Sequence, residues 1–273
     1  MNNDIIKKED YEEPACLLNM HPEVKRIPVS RVIEKLDAFL NRNDYPSAEK
    51  HLVYWLAEAE AGKDIRGELT VLNELIGLYR KTGQKEAGLK AITRTLALLN
   101  TMGMDGTVSY ATTLINAATA YKAFGRAADA LPLYRQARVI YEARLEAGDA
   151  RLAGCYNNMA LALTELKAYR EAEALFLQAL ELMLQQEHGE PEAAITCLNL
   201  ANLIDAEVGS VAGEEAIAAY LRRAENLLNT ESIPQNGYYA FVCEKCAPAF
   251  GYYGWFYTEN ELRKRAKAIY ERA

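Results

Sequence analysis

Two cysteines three residues apart, Cys243 and Cys246, are the first candidates for covalent chemistry in this 273-residue chain. A Cys-x-x-Cys pair exchanges disulfides when it opens a helix that follows a strand, because the helix dipole there lowers the pKa of the leading thiol. No strand pattern precedes this pair, and the surrounding GYYAFVCEKCAPAF reads as helix. A structural zinc would need about two more ligands. His21, His51 and His188 fall in other parts of the chain, and no second Cys-x-x-Cys exists. Packing on one helix face accounts better for the spacing. Cys155 and Cys197 stand 42 residues apart near the starts of equivalent helices, which suits small structural hydrophobes. There is no Gly-rich phosphate loop, nucleophile elbow or His-rich motif. The sequence therefore calls for no cofactor, no metal and no catalytic residue.

A repeat must position these side chains. Asn41, Gly83, Gly125, Lys167, Gly209 and Gly251 succeed one another at intervals of 42 residues. Each follows an apolar helical stretch, where Gly or Asn ends a helix cheaply by accepting a positive φ. Lys167 keeps the spacing without that chemistry. Before the turn, Tyr79, Tyr121 and Leu163 are again 42 apart. After it come the triplets Gly88–Ile92–Thr95, Ala130–Tyr134–Ala137 and Ala172–Phe176–Ala179, at the same interval. The spacing i, i+4, i+7 draws one helical stripe, small at both ends and bulky between, so that two helices approach closely.

Ala48–Leu52–Trp55 and Leu262–Ala266–Ile269 repeat the stripe near the two ends. Ile217–Leu221–Ala224 is displaced by three residues, which places a longer turn, SVAGEE, in the fifth unit. A two-helix unit cannot bury its own apolar face, so neighbours must stack into a continuous core. The reading is an all-α solenoid of about six helix–turn–helix units, a single domain over residues 29–273. Its turns fall near 41, 83, 125, 167, 209 and 251, the last being either Gly251 or Gly254. Thr258 with Glu261 would make a capping box for the closing helix.

The pattern N-x-A-x-x-Y/L, a turn, then A-x-x-x-Y/F-x-x-A resembles the tetratricopeptide repeat. The 42-residue length is similar to the variety in kinesin light chains. So are Asn157-Asn158-Met159-Ala160 and Ala130-Leu131-Pro132-Leu133-Tyr134-Arg135-Gln136-Ala137. The resemblance covers roughly residues 30–272 and implies a right-handed superhelix whose first helices line a concave groove. It also implies that Asn residues one turn into those helices hold the backbone of a bound peptide. Asn116 and Asn158 occupy that place, and Asn199 fits it after a one-residue slip. An amide offers both donors and an acceptor to an extended backbone, and Asn is otherwise mildly unfavourable inside a helix. The same amides could instead satisfy neighbouring helices. Thr112, Thr119, Lys122, Leu161 and Thr164 fall on nearby faces, and Asn73, Thr70 and Arg80 extend the surface. With Arg80 and Lys122 present, an acidic or carboxylate-ended peptide would suit it.

The formal net charge of -7 and the pI near 5.3 disfavour nucleic acid as a partner. No run approaches the roughly 18 apolar residues of a membrane span, and MNNDIIKKEDYEEP has no apolar core of a secretion signal. A cytoplasmic protein with reduced thiols is expected. Residues 1–28 lack the repeat, contain Pro14, Pro22 and Pro28, and are expected to be extended or poorly ordered. Their apolar cluster, Ala15 to Leu18 with Met20, would either cap the first repeat or lie in the groove. Arg263, Lys264, Arg265, Lys267 and Arg272 give the last helix a basic side that reads as a solvated face.

The expected function is a protein- or peptide-binding scaffold or adaptor, not an enzyme. The alternatives are a bacterial regulator that senses a signalling peptide and acts through a partner, and, more remotely, a thiol or metal protein using Cys243 and Cys246. The oligomeric state and the face used stay open.

Overall fold

The computed structural model describes residues 24–272, and the regular elements among them are α-helices. The apolar cluster at Ala15 to Leu18 and Met20 lies outside these residues. The chain divides into two compact units, Met1–Arg144 and Leu145–Ala273. The first holds α1 (Val29–Leu40), α2 (Tyr45–Ala61), α3 (Ile65–Thr82), α4 (Lys85–Thr101), α5 (Val108–Ala123) and α6 (Ala127–Arg144). The second holds α7 (Ala150–Glu165), α8 (Tyr169–Leu184), α9 (Glu190–Val208), α10 (Glu214–Leu228), α11 (Gly237–Tyr252) and α12 (Phe256–Tyr270).

Helix starts follow from capping chemistry. Asp44, Asp64, Thr107, Asp149 and Asn236 each turn a side-chain oxygen onto a backbone N–H of the first turn, satisfying one of the orphan donors there. Thr258 does not join them. The helix opens two residues earlier, at Phe256, and the Thr258 hydroxyl donates to Glu225 Oε1 at 2.6 Å. Glu261 pairs with Lys264 instead. The capping box is thus replaced by a contact to the neighbouring repeat.

The turns use positive φ at Gly83, Gly125, Lys167 and Gly209, with φ between +61° and +85°. In the first repeat that conformation falls on Asn43, while Asn41 stays right-handed. In the last it falls on Gly254, and Gly251 lies within α11. A Cβ on Gly251 would come 2.2 Å from the Glu259 carboxylate of α12, the mobile end of a side chain that can shift aside.

Within the first unit, consecutive helices pair as hairpins, α2 and α4 pack on the following first helices α3 and α5, and α3 lies beside α5. The second unit repeats this, with α8 against α9 and α9 flanked by α7 and α11. The stripes are the inner seams. Ala130, Tyr134, Ala137, Ala172, Phe176 and Ala179 are all 0% exposed. Ile217, Leu221, Ala224, Leu262, Ala266 and Ile269 are buried as well. Trp55 departs from the pattern: it is half-buried, edge-on to His51 and Tyr54.

Thr95 stands where the next two repeats have Ala137 and Ala179, and its hydroxyl is buried with no hydrogen-bond partner among the described residues. Losing that desolvated hydroxyl while keeping the shape favours the folded state. Thr95→Val is expected to stabilise by about 1 kcal/mol and to raise Tm by roughly 2–4 °C. A lowered Tm in thermal unfolding would show that the hydroxyl is satisfied after all.

Candidate functional site

The amides lie on the first helices, which stand side by side within each unit. In the first unit, Asn73 of α3 is buried and sends its Nδ2 to Leu69 O at 3.1 Å and to Thr113 Oγ1 of α5 at 3.3 Å. Its Oδ1 accepts from Asn116 Nδ2 of α5 at 3.2 Å. Asn116 is half-buried, and its Oδ1 accepts nothing from the described residues. Asn73 is therefore the inner member of the pair and Asn116 the outer one.

The second unit holds a matching pair between α7 and α9. Asn199 Nδ2 donates to Asn157 Oδ1 at 3.0 Å, and Thr196 Oγ1 approaches the same oxygen at 3.4 Å. The partner of Asn199 is thus Asn157, one residue before the expected Asn158. Asn157 and Asn199 are 42 residues apart, so the repeat interval itself carried the signal. Asn158 is half-buried beside them and makes no side-chain hydrogen bond within the described chain. A planar amide has two donors and two acceptor lone pairs, so each pair keeps hydrogen-bonding capacity on its solvent side.

The other expected residues separate into two sets. Thr112 is buried; its hydroxyl donates to Val108 O at 3.0 Å and meets the Tyr141 hydroxyl of α6 at 2.7 Å. Its hydroxyl is engaged in the α5–α6 seam. Thr119 likewise meets the hydroxyl of Tyr134, the bulky member of the α6 stripe. Arg80, Lys122 and Leu161 are half-buried at the C-terminal parts of α3, α5 and α7.

Sequence reasoning missed a set of tyrosines that ties α11 to α9. The Tyr238 hydroxyl donates to Glu192 Oε1, Tyr253 to Asn202 Oδ1 at 2.9 Å and Tyr252 to Asp205 Oδ2 at 3.1 Å. The rings stay near the surface: Tyr252 is 72% exposed, and Phe241, stacked on Tyr238, is 38% exposed. Burial raises the pKa of Glu192, against the opposing hydrogen bond from Tyr238.

The cysteines are placed as core residues. Cys155, Cys197, Cys243 and Cys246 are free thiols, each 0–1% exposed. Burial pushes Cys197 up to about 11 and Cys246 up to about 12, and raises Cys243 too. Such thiols are protonated and poor nucleophiles near neutral pH. No group of three or more His, Cys, Asp or Glu side chains among the described residues could hold a metal ion. None of the described helices is long and apolar enough to cross a membrane.

Two segments, residues 111–149 and 152–190, match the family model of the tetratricopeptide repeat. They coincide with α5–α6 and α7–α8, helix pairs that carry the stripes together with Asn116, Asn157 and Asn158. The chain carries tetratricopeptide repeats. No curated protein matches its sequence. Among solved structures, the tetratricopeptide fold is shared with a Podosopora anserina protein described as a kinesin light chain with nearly identical TPR-like repeats. That likeness has a TM-score of 0.54 at 18% identity and covers 75% of this chain and 95% of the other. A variant of that protein gives a TM-score of 0.55 at 18% identity, covering 75% of this chain and 97% of the other. At that identity the likeness speaks to the fold, and the tetratricopeptide scaffold is in general a non-catalytic one.

Proposed function

We propose that this tetratricopeptide-repeat chain is an adaptor that binds a protein or peptide segment on the solvent face of its first helices. One observation carries the reading. In each unit a pair of asparagines is locked amide to amide across adjacent first helices, with hydrogen-bonding capacity left over. Locked amides lose little further freedom when they meet a ligand, which removes the side-chain ordering cost of recognition. An extended backbone offers alternating N–H and C=O groups that such amides can match. In the first unit, Arg80 and Lys122 stand as half-buried bases further along α3 and α5, which supports an acidic or carboxylate-ended segment. The reading carries with it a cytoplasmic location and no chemistry of its own.

The test is selection of a displayed random-peptide library on the full chain, followed by titration of the selected peptides. Asn158 stands beside the Asn157–Asn199 pair and makes no internal side-chain hydrogen bond, so Asn158→Leu leaves the fold and the pair intact while taking away the free amide that the ligand would meet. Peptides recognised by the second unit are expected to bind this variant at least about tenfold more weakly, the equivalent of one lost hydrogen bond with its partner left unmet. Peptides that bind Asn158→Leu and Asn116→Leu as tightly as the parent chain would move recognition off the first helices.

A further inference from the structure

We infer that the α9–α11 face of the second unit takes a basic side chain, a lysine ammonium or an arginine guanidinium, of the bound segment; this rests on the adaptor reading and names its partner chemistry there. Helix α9 carries Glu190, Glu192, Asp205 and Glu207 and no lysine or arginine. Two of these acids, Asp205 and Glu207, sit in its last turn, where the helix dipole is negative and favours cations. That is a local conflict between sequence and helix electrostatics, of the kind that persists where a ligand resolves it. Glu207 shares a shallow cleft with Lys167 and Arg170, whereas Asp205 faces α11.

Opposite Asp205 stand two aromatic rings. Tyr252 and Tyr253 meet edge to face with centroids 4.9 Å apart and planes at 82°. Both hydroxyls are spent on α9, on Asp205 and Asn202, so the rings are pinned while the Tyr252 face is left to solvent. Perpendicular ring faces beside a carboxylate make a corner that attracts a cation through the ring quadrupoles and the negative charge together. The same helix already shows the preference: Lys245 Nζ lies over the Phe241 ring, 6.0 Å from its centroid. Lys167 and Arg170 share their cleft with Glu207, so Asp205 is the α9 carboxylate beside the rings.

The experiment is a displayed random-peptide selection on the full chain, with counter-selection on Tyr252→Ala and on Asp205→Asn. Tyr252 is solvent-exposed, so its removal does not threaten folding, and circular dichroism checks both variants. Sequences held by the parent chain and lost by the variants are expected to carry lysine or arginine. They should bind Tyr252→Ala at least about tenfold and Asp205→Asn about fivefold more weakly, and weaken as salt rises. The inference is overturned if the variant-sensitive sequences are acidic or uncharged, or if binders lost in Asn158→Leu are indifferent to Tyr252→Ala and Asp205→Asn. The second result leaves the adaptor reading standing. A library that yields no binder at all overturns both.

Discussion

Phe176→Ala is expected to destabilise the chain by about 3–5 kcal/mol, the range for truncating a fully buried aromatic. The ring is 0% exposed and is framed by Ala172 and Ala179, each also 0% exposed. It sits on α8, which packs against α7 in its own repeat and α9 in the next, so the void would weaken both the hairpin and the repeat interface. Alanines at either end of the stripe bring backbone close to backbone and leave no long side chain that could swing into the space. Urea unfolding followed by circular dichroism measures the loss. The neighbouring Leu177 is 43% exposed, and its truncation should move stability by only about 0.5 kcal/mol. Equal effects at the two positions would mean that the stripe is not the structural seam of the repeat.

Asp64→Ala should produce the next largest effect, roughly 2–4 kcal/mol, from a lost helix cap and a stranded buried donor together. Asp64 is 5% exposed and uses its two oxygens for different tasks. Oδ1 caps α3 through Gly67 N at 3.0 Å, and Oδ2 accepts from Ile27 N at 2.9 Å. The second bond, with Lys25 N donating to Gly62 O at 2.9 Å, fastens residues 25–27 onto the α2–α3 junction. The fit is close enough that a Cβ on Gly62 would come 2.1 Å from Lys25 O, and one on Gly67 would come 2.6 Å from Ile27 Cγ1. In the variant, amide hydrogen exchange at Ile27 should accelerate well beyond the change at core amides of α3. Asp64→Asn keeps an acceptor and should lose less. An Asp64→Ala chain with unchanged exchange at Ile27 would refute the fastening.

The sequence exposed the seams of this fold more fully than its surfaces. Stripes such as Ala130–Tyr134–Ala137 were readable because burial forces small and bulky residues into one register, and a repeat prints that register several times. The turns at Gly83, Gly125, Lys167 and Gly209 were readable for the same reason, even though Lys167 adopts positive φ without being glycine. Near Asn41 the positive φ falls two residues later, on Asn43, and of the two glycines left open for the last turn Gly254 takes it. Helical geometry assigned Thr112 a face but not a partner, and its hydroxyl meets Tyr141.

The amide pairs were half legible. Asn116 and Asn158 are marked by the repeat interval, but hydrogen bonding chose Asn73 for Asn116 and Asn157 for Asn199. The bonds from Tyr238, Tyr252 and Tyr253 to α9 span 46, 47 and 51 residues. They ignore the interval of 42, so no search for periodicity could find them.

The most direct test of the adaptor reading is a 15N-resolved NMR titration of the full chain with a selected peptide. Attention falls on the side-chain amide signals of Asn116, Asn158 and Asn199. These signals are expected to shift together with backbone amides of the first helices in at least one unit, while those of α6, α8 and α10 stay in place. Shifts confined to the second helices, with the three asparagine side chains unmoved, would contradict it.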